Sequence, residues 1–283
     1  MSTTTPTPRP AHTQSLLRRH PLISFFVLTY AVTWSLWLPL VIFGDRVPNA
    51  LALVLQVLGS LVPSVLGLLF VGLLRGRSGV RTLLGRLIRG RIGLRWYFAV
   101  LTLSMLVPLA VGLSILMGGD TPVVDTTILG VLFLFAFSIF PGSALGEELG
   151  WRGFALPRMQ ARQNALRASL VLGILWGPWH LPLWLRGTES NPISLYIPFV
   201  IAVIAASVIY TWLYNNTGGS LLIIVLYHAA SNLPITVLFS SPASQQTAFL
   251  IYVALTVATA VTLVIANGAE NLSRSAHRQI EQP

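Results

Sequence analysis

The sequence predicts an all-α polytopic membrane protein, a bundle of about eight transmembrane helices. Its 283 residues are 54% hydrophobic and only 9% charged, and the mean hydropathy is +0.74. A soluble domain of this size could not cover so much apolar surface with so few polar residues. The apolar residues are grouped into long runs, and the arginines lie mostly between these runs.

A helix needs roughly 20 apolar residues to cross the hydrocarbon core of a membrane, and eight segments meet this requirement. Their approximate bounds are 21–43, 50–74, 96–117, 127–150, 168–185, 194–214, 219–239 and 247–267. The connections are short, so residues 21–267 are predicted to form a single transmembrane domain. Residues 1–20, rich in Thr and Pro at their start, are predicted to be a disordered cytoplasmic tail. Residues 268–283 are predicted to be a second cytoplasmic tail.

The arginines indicate on which side of the membrane each loop lies. With the N-terminus in the cytoplasm, 16 of the 18 basic residues fall on the inner side, and only Arg46 and Arg186 fall outside. This distribution follows the positive-inside rule and favours an even number of spans. Both termini are therefore predicted to be cytoplasmic. All basic residues are arginine, which suggests a GC-rich genome and favours a bacterial plasma membrane.

The net charge of +10 points to lipid rather than to nucleic acid. Because the arginines flank apolar segments, their expected partners are the anionic head groups of the bilayer. Loop 75–95 is the most basic, and its apolar residues share one helical face, so it is predicted to be a short helix on the inner membrane surface. The chain contains no cysteine, which excludes disulfides and a cysteine nucleophile.

Few ionisable residues lie at membrane depth, and these form the candidate site. Glu147, Glu148, His180 and His228 lie within predicted spans, and Arg152 lies at the edge of one. A charged group at the bilayer centre costs roughly 2.5 kcal/mol or more. We therefore expect these side chains to meet in one cavity and to satisfy one another. The alternative is a buried polar network that only fixes the register of the helices.

The spacing of these residues along their helices supports such a cluster. Glu148 and Arg152 are four residues apart, so they can form an ion pair along one helix. Glu147 lies about 100° around the same helix and can point elsewhere. In a later span, His228 and Asn232 are also four residues apart and therefore share one face.

Small residues and prolines shape the helices around these positions. Gly142, Gly146 and Gly150 form one ridge with a spacing of four, and such ridges allow close helix packing in membranes. Gly173 and Gly177 form a second ridge. Prolines on both sides of the histidine in the fifth span remove backbone donors and predict a kink, which leaves carbonyl groups for water or polar side chains.

Three motifs on separate spans together resemble one known family. The stretch EELGWR matches an EExxxR pattern, WGPWH resembles FxxxH, and HAASN matches HxxxN. In this order they are similar to the CAAX protease and bacteriocin-processing family of intramembrane endopeptidases, over about residues 140–235. Trp176 stands where that family often has Phe. Otherwise the tryptophans of the fifth span are predicted to pack or to mark the membrane interface: Trp176, Trp179 and Trp184.

The resemblance implies a role for each candidate residue. Glu147 would activate a water molecule, His180 and His228 would assist, and Asn232 would help to hold the oxyanion. The ion pair described above would support the site. The substrate would be a peptide or a membrane-associated protein, because prenylation is not expected in a bacterium. The two histidines and Glu147 could instead hold zinc with one open position, so the expected cofactor is none or zinc.

The predicted bounds conflict with this site in one respect. By those bounds Glu147 lies near the cytoplasmic end of its span, whereas His180 lies about 12 residues, or some 18 Å, into the next one. The two side chains must lie at similar depth to cooperate. We therefore expect the true bounds of the fourth or the fifth span to differ from the predicted ones.

Two other functions remain open at this point. A non-catalytic scaffold or a bacteriocin-immunity protein of the same fold would keep the helices without hydrolysing anything. A haem protein would use His180 and His228 as axial ligands of the iron. That alternative leaves Glu147 and Glu148 without a role, and the absorption spectrum of the purified protein would test it.

Overall fold

The computed structural model of the protein describes residues 16–186, 192–238, 242–275 and 277–280. These residues form helices and turns, which confirms the all-α class. Because a backbone in lipid must satisfy its own N–H and C=O groups, long apolar runs become helices. The helices are α1 Leu16–Arg19, α2 Pro21–Phe43, α3 Asn49–Gly85, α4 Leu94–Ser104, α5 Leu106–Leu116, α6 Ile128–Ile139, α7 Ser143–Gly150, α8 Leu156–Gln160, α9 Ala165–Trp179, α10 Leu181–Leu185, α11 Tyr196–Asn216, α12 Leu221–Leu238 and α13 Pro242–Asn267.

Eight helical segments of the described chain are long and apolar enough to cross a membrane, which is the predicted number. Their bounds are Pro21–Arg46, Asn49–Ile88, Leu94–Leu116, Ile128–Gln160, Ala165–Leu185, Ile193–Asn216, Leu221–Leu238 and Gln246–Asn267. The second and fourth segments are much longer than the predicted spans 50–74 and 127–150. Residue 239, the predicted end of the seventh span, lies outside the described residues. The protein is thus an integral membrane protein of eight apolar segments.

The basic loop predicted at 75–95 is largely a continuation of α3. The helix breaks at Gly76, whose φ of 64° and ψ of −162° are not helical, and then continues to Gly85. Arg86 Nη1 donates a hydrogen bond of 2.7 Å to the Tyr214 hydroxyl, and Arg89 donates to the Gly218 carbonyl. The segment is therefore tied to the turn between α11 and α12. Its contact with anionic lipid remains a prediction.

The fourth span consists of two parts with a break between them. Helix α6 ends at Ile139, and the chain becomes helical again at Ser143. From there α7 continues through a wider π-helical turn, Trp151–Ala155, into α8 and ends at Gln160. Such π-helical turns are frequent at functional sites. The prediction that this span ends at residue 150 is wrong, because the helix extends through the bundle for another ten residues.

The two glycine ridges place this broken span and α9 against their neighbours. A methyl group added at Gly146 would overlap the backbone at Ser60 of α3, and one added at Gly150 would overlap Pro63. On α9, a methyl group at Gly173 would lie only 2.7 Å from the Cα of Ile204 on α11. The absence of side chains therefore allows the backbones to approach closely, as the ridges predicted.

The structure describes part of each predicted tail, and their cytoplasmic location remains a prediction. Residues 1–15 of the N-terminal tail lie outside the described residues, and α1 shows that the rest of it is helical. In the C-terminal tail, the side chain of Leu272 is fully buried. Asn215 Nδ2 donates to the Asn271 carbonyl at 2.8 Å, and Gln160 Nε2 donates to the Gln279 carbonyl at 3.1 Å. The C-terminal tail is therefore packed onto the ends of α8 and α11.

The orientation of the termini remains a prediction, and cysteine labelling tests it because the native chain has no cysteine. Single cysteines at Gly85, Arg162 and Asp120 are suitable, since all three positions are exposed. A membrane-impermeant maleimide added to intact cells is expected to label position 120 alone. Positions 85 and 162 are expected to react only after the membrane is permeabilised. Labelling of either inner position in intact cells would contradict the orientation.

Candidate active site inside the helix bundle

A cavity of about 710 Å³ lies inside the bundle, next to the break between α6 and α7. It is lined by four of the six residues predicted to form the site: Glu147, His180, His228 and Asn232. The remaining two, Glu148 and Arg152, are fully buried in the adjoining protein interior. The prediction that Arg152 lies at the edge of a span is therefore wrong, because this side chain is enclosed by the bundle.

The longer fourth span explains how Glu147 and His180 reach the same depth. Glu147 lies 13 residues before Gln160, where this helical segment ends. The next helix begins at Ala165, and His180 lies 15 residues further along. At 1.5 Å per residue, these positions are roughly 20 and 22 Å from the turn between the two helices. The apparent mismatch came from ending the fourth span too early.

The Glu147 carboxylate is held by two tryptophans. Its Oε2 atom accepts a hydrogen bond of 2.7 Å from the indole N–H of Trp176 and another of 3.2 Å from that of Trp151. The residue is only 2% exposed. Two neutral donors on one oxygen fix the orientation of the carboxylate and leave Oε1 outside these bonds. They also supply part of the polar environment that the carboxylate loses on leaving water.

Glu148 forms the predicted ion pair with Arg152. Arg152 Nη1 lies 2.9 and 3.1 Å from the two carboxylate oxygens, and both side chains are fully buried. The guanidinium carbon also lies 4.1 Å from the ring centroid of Trp176 and 4.0 Å from that of Tyr210. The aromatic faces stabilise a cation that would otherwise have a single charged partner. This arrangement makes arginine, rather than lysine, the residue that suits the position.

A chain of hydrogen bonds joins the ion pair to the cavity. His228 Nδ1 lies 2.7 Å from Glu148 Oε1, and His228 Nε2 lies 3.2 Å from the Ser143 hydroxyl. Asn232 Nδ2 donates to the same hydroxyl at 3.0 Å. The one-turn spacing of His228 and Asn232 thus brings both side chains onto Ser143, at the first residue of α7. The chain therefore connects α7 with α12.

His180 lies where α9 ends and α10 begins. Its Nδ1 atom is 3.0 Å from the Trp176 carbonyl, so this nitrogen carries the proton, and Nε2 is the acceptor in the neutral ring. The carbonyl of Trp179, next to the break, accepts a hydrogen bond of 3.0 Å from the Trp34 indole. The predicted kink therefore exists, and at Trp179 a polar side chain satisfies the carbonyl group.

The described side chains do not fit the zinc site that the sequence left open. Among residues 16–186, 192–238, 242–275 and 277–280, His, Asp and Glu form no group of three that could hold a metal ion. Both ring nitrogens of His228 already have partners, in Glu148 and Ser143. Because both nitrogens of His228 take part in these hydrogen bonds, neither is available to coordinate a haem iron.

The structure adds four residues that the sequence reasoning missed or treated only as packing. Ser143 and Trp151 lie one helical turn before and after Glu147, so a search at a spacing of four from this carboxylate would have found them. Trp176 was expected only to pack, but its indole N–H contacts Glu147. Tyr210, which stacks on the buried guanidinium, lies on α11 and has no local sequence signal.

Comparisons with known proteins agree with the motifs. Residues 127–234 match the family described as type II CAAX prenyl endopeptidase Rce1-like, and this region includes every candidate site residue. The chain is also 24% identical over 226 residues to a protein of the archaeon Methanococcus maripaludis named CAAX prenyl protease 2. That alignment covers 74% of this chain and 82% of the archaeal protein.

The two matches and the fold agree with one another. The matched region begins just before α6 and ends within α12, so it contains the broken span, the kinked helix and the helix that carries His228. The eight apolar segments agree with the number of spans predicted from the sequence. These findings confirm the resemblance to the CAAX protease family of intramembrane endopeptidases that the three motifs indicated.

Proposed function

We propose that the protein hydrolyses a peptide bond within the membrane, using a water molecule that Glu147 activates. The observation that carries this proposal is the position of the carboxylate. Glu147 lines the cavity, and both of its described hydrogen bonds come from neutral indole groups rather than from a cation. A carboxylate without a cationic partner retains its basicity, and it is held in one orientation for proton transfer.

In the first step, the water oxygen attacks the carbonyl carbon of the substrate, and Glu147 accepts a proton from that water. His180 lines the same cavity, and its unprotonated Nε2 is suited to accept the second hydrogen of the water and so to orient it. Trp176 connects the two residues, because its indole N–H donates to Glu147 and its carbonyl accepts from His180. This shared contact sets the position of base and orienting group relative to each other.

During this attack, negative charge develops on the carbonyl oxygen of the substrate and needs hydrogen-bond donors. The amide of Asn232 has two N–H groups, and only one of them is used by Ser143. The other is available to the oxyanion. When the intermediate collapses, the C–N bond breaks, and the proton held by Glu147 passes to the leaving amine. Within this scheme His228 and the Glu148–Arg152 pair hold the donors in place.

The substrate class follows from the cavity and its surroundings. Apolar side chains form much of the cavity wall, including Leu183, Phe199 and Phe249. An apolar segment of a peptide or of a membrane-associated protein suits such a wall better than a charged one. The archaeal relative is named for a prenyl protease. For this chain we propose the broader class, a peptide or membrane-protein substrate.

A comparison of cells that carry the wild-type protein or Glu147→Gln tests the proposed function. Quantitative mass spectrometry of membrane fractions is expected to find peptides, or new protein termini, that depend on the wild-type chain. The variant serves as a control for expression and membrane insertion, because it keeps the size of the side chain. Identical peptide profiles at equal protein levels would contradict proteolysis and favour a scaffold or immunity protein of the same fold.

A further inference from the structure

We propose that Ser143 is a positioning residue of this site, which orients His228 and Asn232 for the hydrolysis. The inference rests on the proposed function, but the contacts that carry it do not. The Ser143 hydroxyl lies 3.2 Å from His228 Nε2 and accepts a hydrogen bond of 3.0 Å from Asn232 Nδ2. Among the described residues, this hydroxyl hydrogen-bonds to both side chains, and Ser143 lines the cavity itself.

Counting hydrogens assigns a direction to each bond. The Glu148 carboxylate, paired with Arg152, can only accept, so His228 Nδ1 carries the ring proton. In the neutral imidazole Nε2 is then an acceptor, and the single proton of the Ser143 hydroxyl points to it. The hydroxyl oxygen can therefore only accept from Asn232, which requires the amide nitrogen to face Ser143. One hydroxyl thus determines how the Asn232 amide is oriented.

The contacts of Ser143 differ from those of other hydroxyl groups in the bundle. Serine and threonine in membrane helices usually bond to a carbonyl of their own helix, as Ser104, Ser169 and Thr211 do here. Ser143 instead bonds to two side chains that lie 85 and 89 residues away in the sequence. Its position is fixed by the next residue, Ala144, which is fully buried in a cluster with Val225 and Ala229 of α12.

This arrangement gives Ser143 a role that a packing residue would not have. One N–H of the Asn232 amide is anchored to the hydroxyl, so the other has a defined direction for the oxyanion. Without the hydroxyl, the amide can rotate, and His228 Nε2 loses its donor. His228 and Asn232 would then lack the common partner on α7 that holds both side chains. The loss should therefore affect the rate of the chemical step more than the binding of substrate.

The test compares Ser143→Ala with Ser143→Thr, which retains the hydroxyl. For Ser143→Ala we expect kcat to fall roughly 10- to 100-fold, because a donor to the oxyanion is misplaced. KM is expected to stay within about twofold, and Ser143→Thr is expected to recover most of the rate. Ser169→Ala is the control, since this hydroxyl is fully buried but bonds only within α9. A wild-type kcat for Ser143→Ala would overturn the proposal.

A spectroscopic measurement separates this proposal from the proposed function. In protein with ¹⁵N-labelled histidine, the His228 signal is identified by its loss in His228→Gln. It is expected to show a protonated Nδ1 and an unprotonated, hydrogen-bonded Nε2, and the Nε2 shift is expected to change in Ser143→Ala. An unchanged Nε2 shift would overturn the bridging role, even if Glu147 proves to be essential.

A third measurement distinguishes positioning from nucleophilic attack. The carboxylate, imidazole and hydroxyl of Glu148, His228 and Ser143 are connected in the order seen in serine hydrolases. A fluorophosphonate probe tests whether the hydroxyl is a nucleophile. We expect no adduct on Ser143, since the proposal assigns the attack to water. A covalent adduct at this residue that requires His228 would overturn the positioning role.

Discussion

Glu147→Gln is expected to abolish cleavage while the protein remains folded and inserted. Glutamine keeps the size of the side chain and one oxygen that can accept the indole hydrogen bonds of Trp151 and Trp176. It cannot accept the proton of the attacking water. Because removal of one catalytic group commonly costs several orders of magnitude, we expect a rate reduced roughly 10⁴-fold or more.

The measurement uses purified protein in detergent or in proteoliposomes, with a substrate identified by the peptide comparison. Thermal unfolding of the variant is expected to match that of the wild type. His180→Ala and His228→Ala are also expected to be nearly inactive, and combining either with Glu147→Gln should add little, because residues that act together are not additive. Cleavage by Glu147→Gln at a rate close to that of the wild type would contradict the mechanism.

The same assay tests the zinc alternative. If the side chains act alone, activity is expected to survive exhaustive chelation and to be unchanged by added zinc. Loss of activity on chelation, with recovery on adding zinc, would show that a metal ion takes part. The zinc ligands would then be Glu147, His180 and His228, and the present contacts of these side chains would have to change.

Glu148→Gln is expected to destabilise the protein rather than only to inactivate it. Both members of the Glu148–Arg152 pair are fully buried, and the guanidinium has no other charged partner among the described residues. Its Nε and Nη2 atoms are buried without hydrogen-bond partners there. Breaking a buried pair on one side leaves an uncompensated charge and costs about 3–5 kcal/mol. Lower yield, a lower unfolding temperature and lower activity should appear together.

The chain contains a matched control for this substitution. Glu270 and Arg278 form an ion pair at the surface, where the glutamate side chain is 67% exposed. The change Glu270→Gln removes the same charge from an exposed pair, which is worth less than about 1 kcal/mol. Unfolding of both variants, followed by circular dichroism in detergent, should show a large difference in stability. Equal losses for Glu148→Gln and Glu270→Gln would show that burial does not govern the effect.

The Glu→Gln substitutions at the two positions are therefore expected to affect stability differently, although the two glutamates are adjacent in the sequence. Glu147 receives its described hydrogen bonds from neutral indole groups, so its replacement by a neutral amide leaves no charge without a partner. Glu148 contacts a guanidinium and an imidazole, so its replacement by a neutral amide leaves the charge of the guanidinium without a partner. An inactive but stable Glu147→Gln together with an unstable Glu148→Gln would be difficult to obtain from a purely structural polar network.

Features that depend on short stretches of chain could be predicted from the sequence. Runs of about 20 apolar residues determine the spans, because each helix satisfies its own backbone. The ion pair of Glu148 and Arg152 depends only on a spacing of four along one helix. The cost of isolated charges in a membrane also predicted that Glu147, His180 and His228 approach one another, and all three line the cavity.

The tertiary structure decided what depends on contacts between helices. Arg152 appeared to mark the end of a span, because a charge enclosed by a bundle and a charge at the membrane surface look the same in a sequence. Burial between Trp176 and Tyr210 distinguishes them, and it allows the helix to continue to Gln160. Likewise, the contact of Ser143 with α12 depends on how closely the helices approach and how they are rotated. That geometry is set by packing along their whole length, which no local spacing encodes.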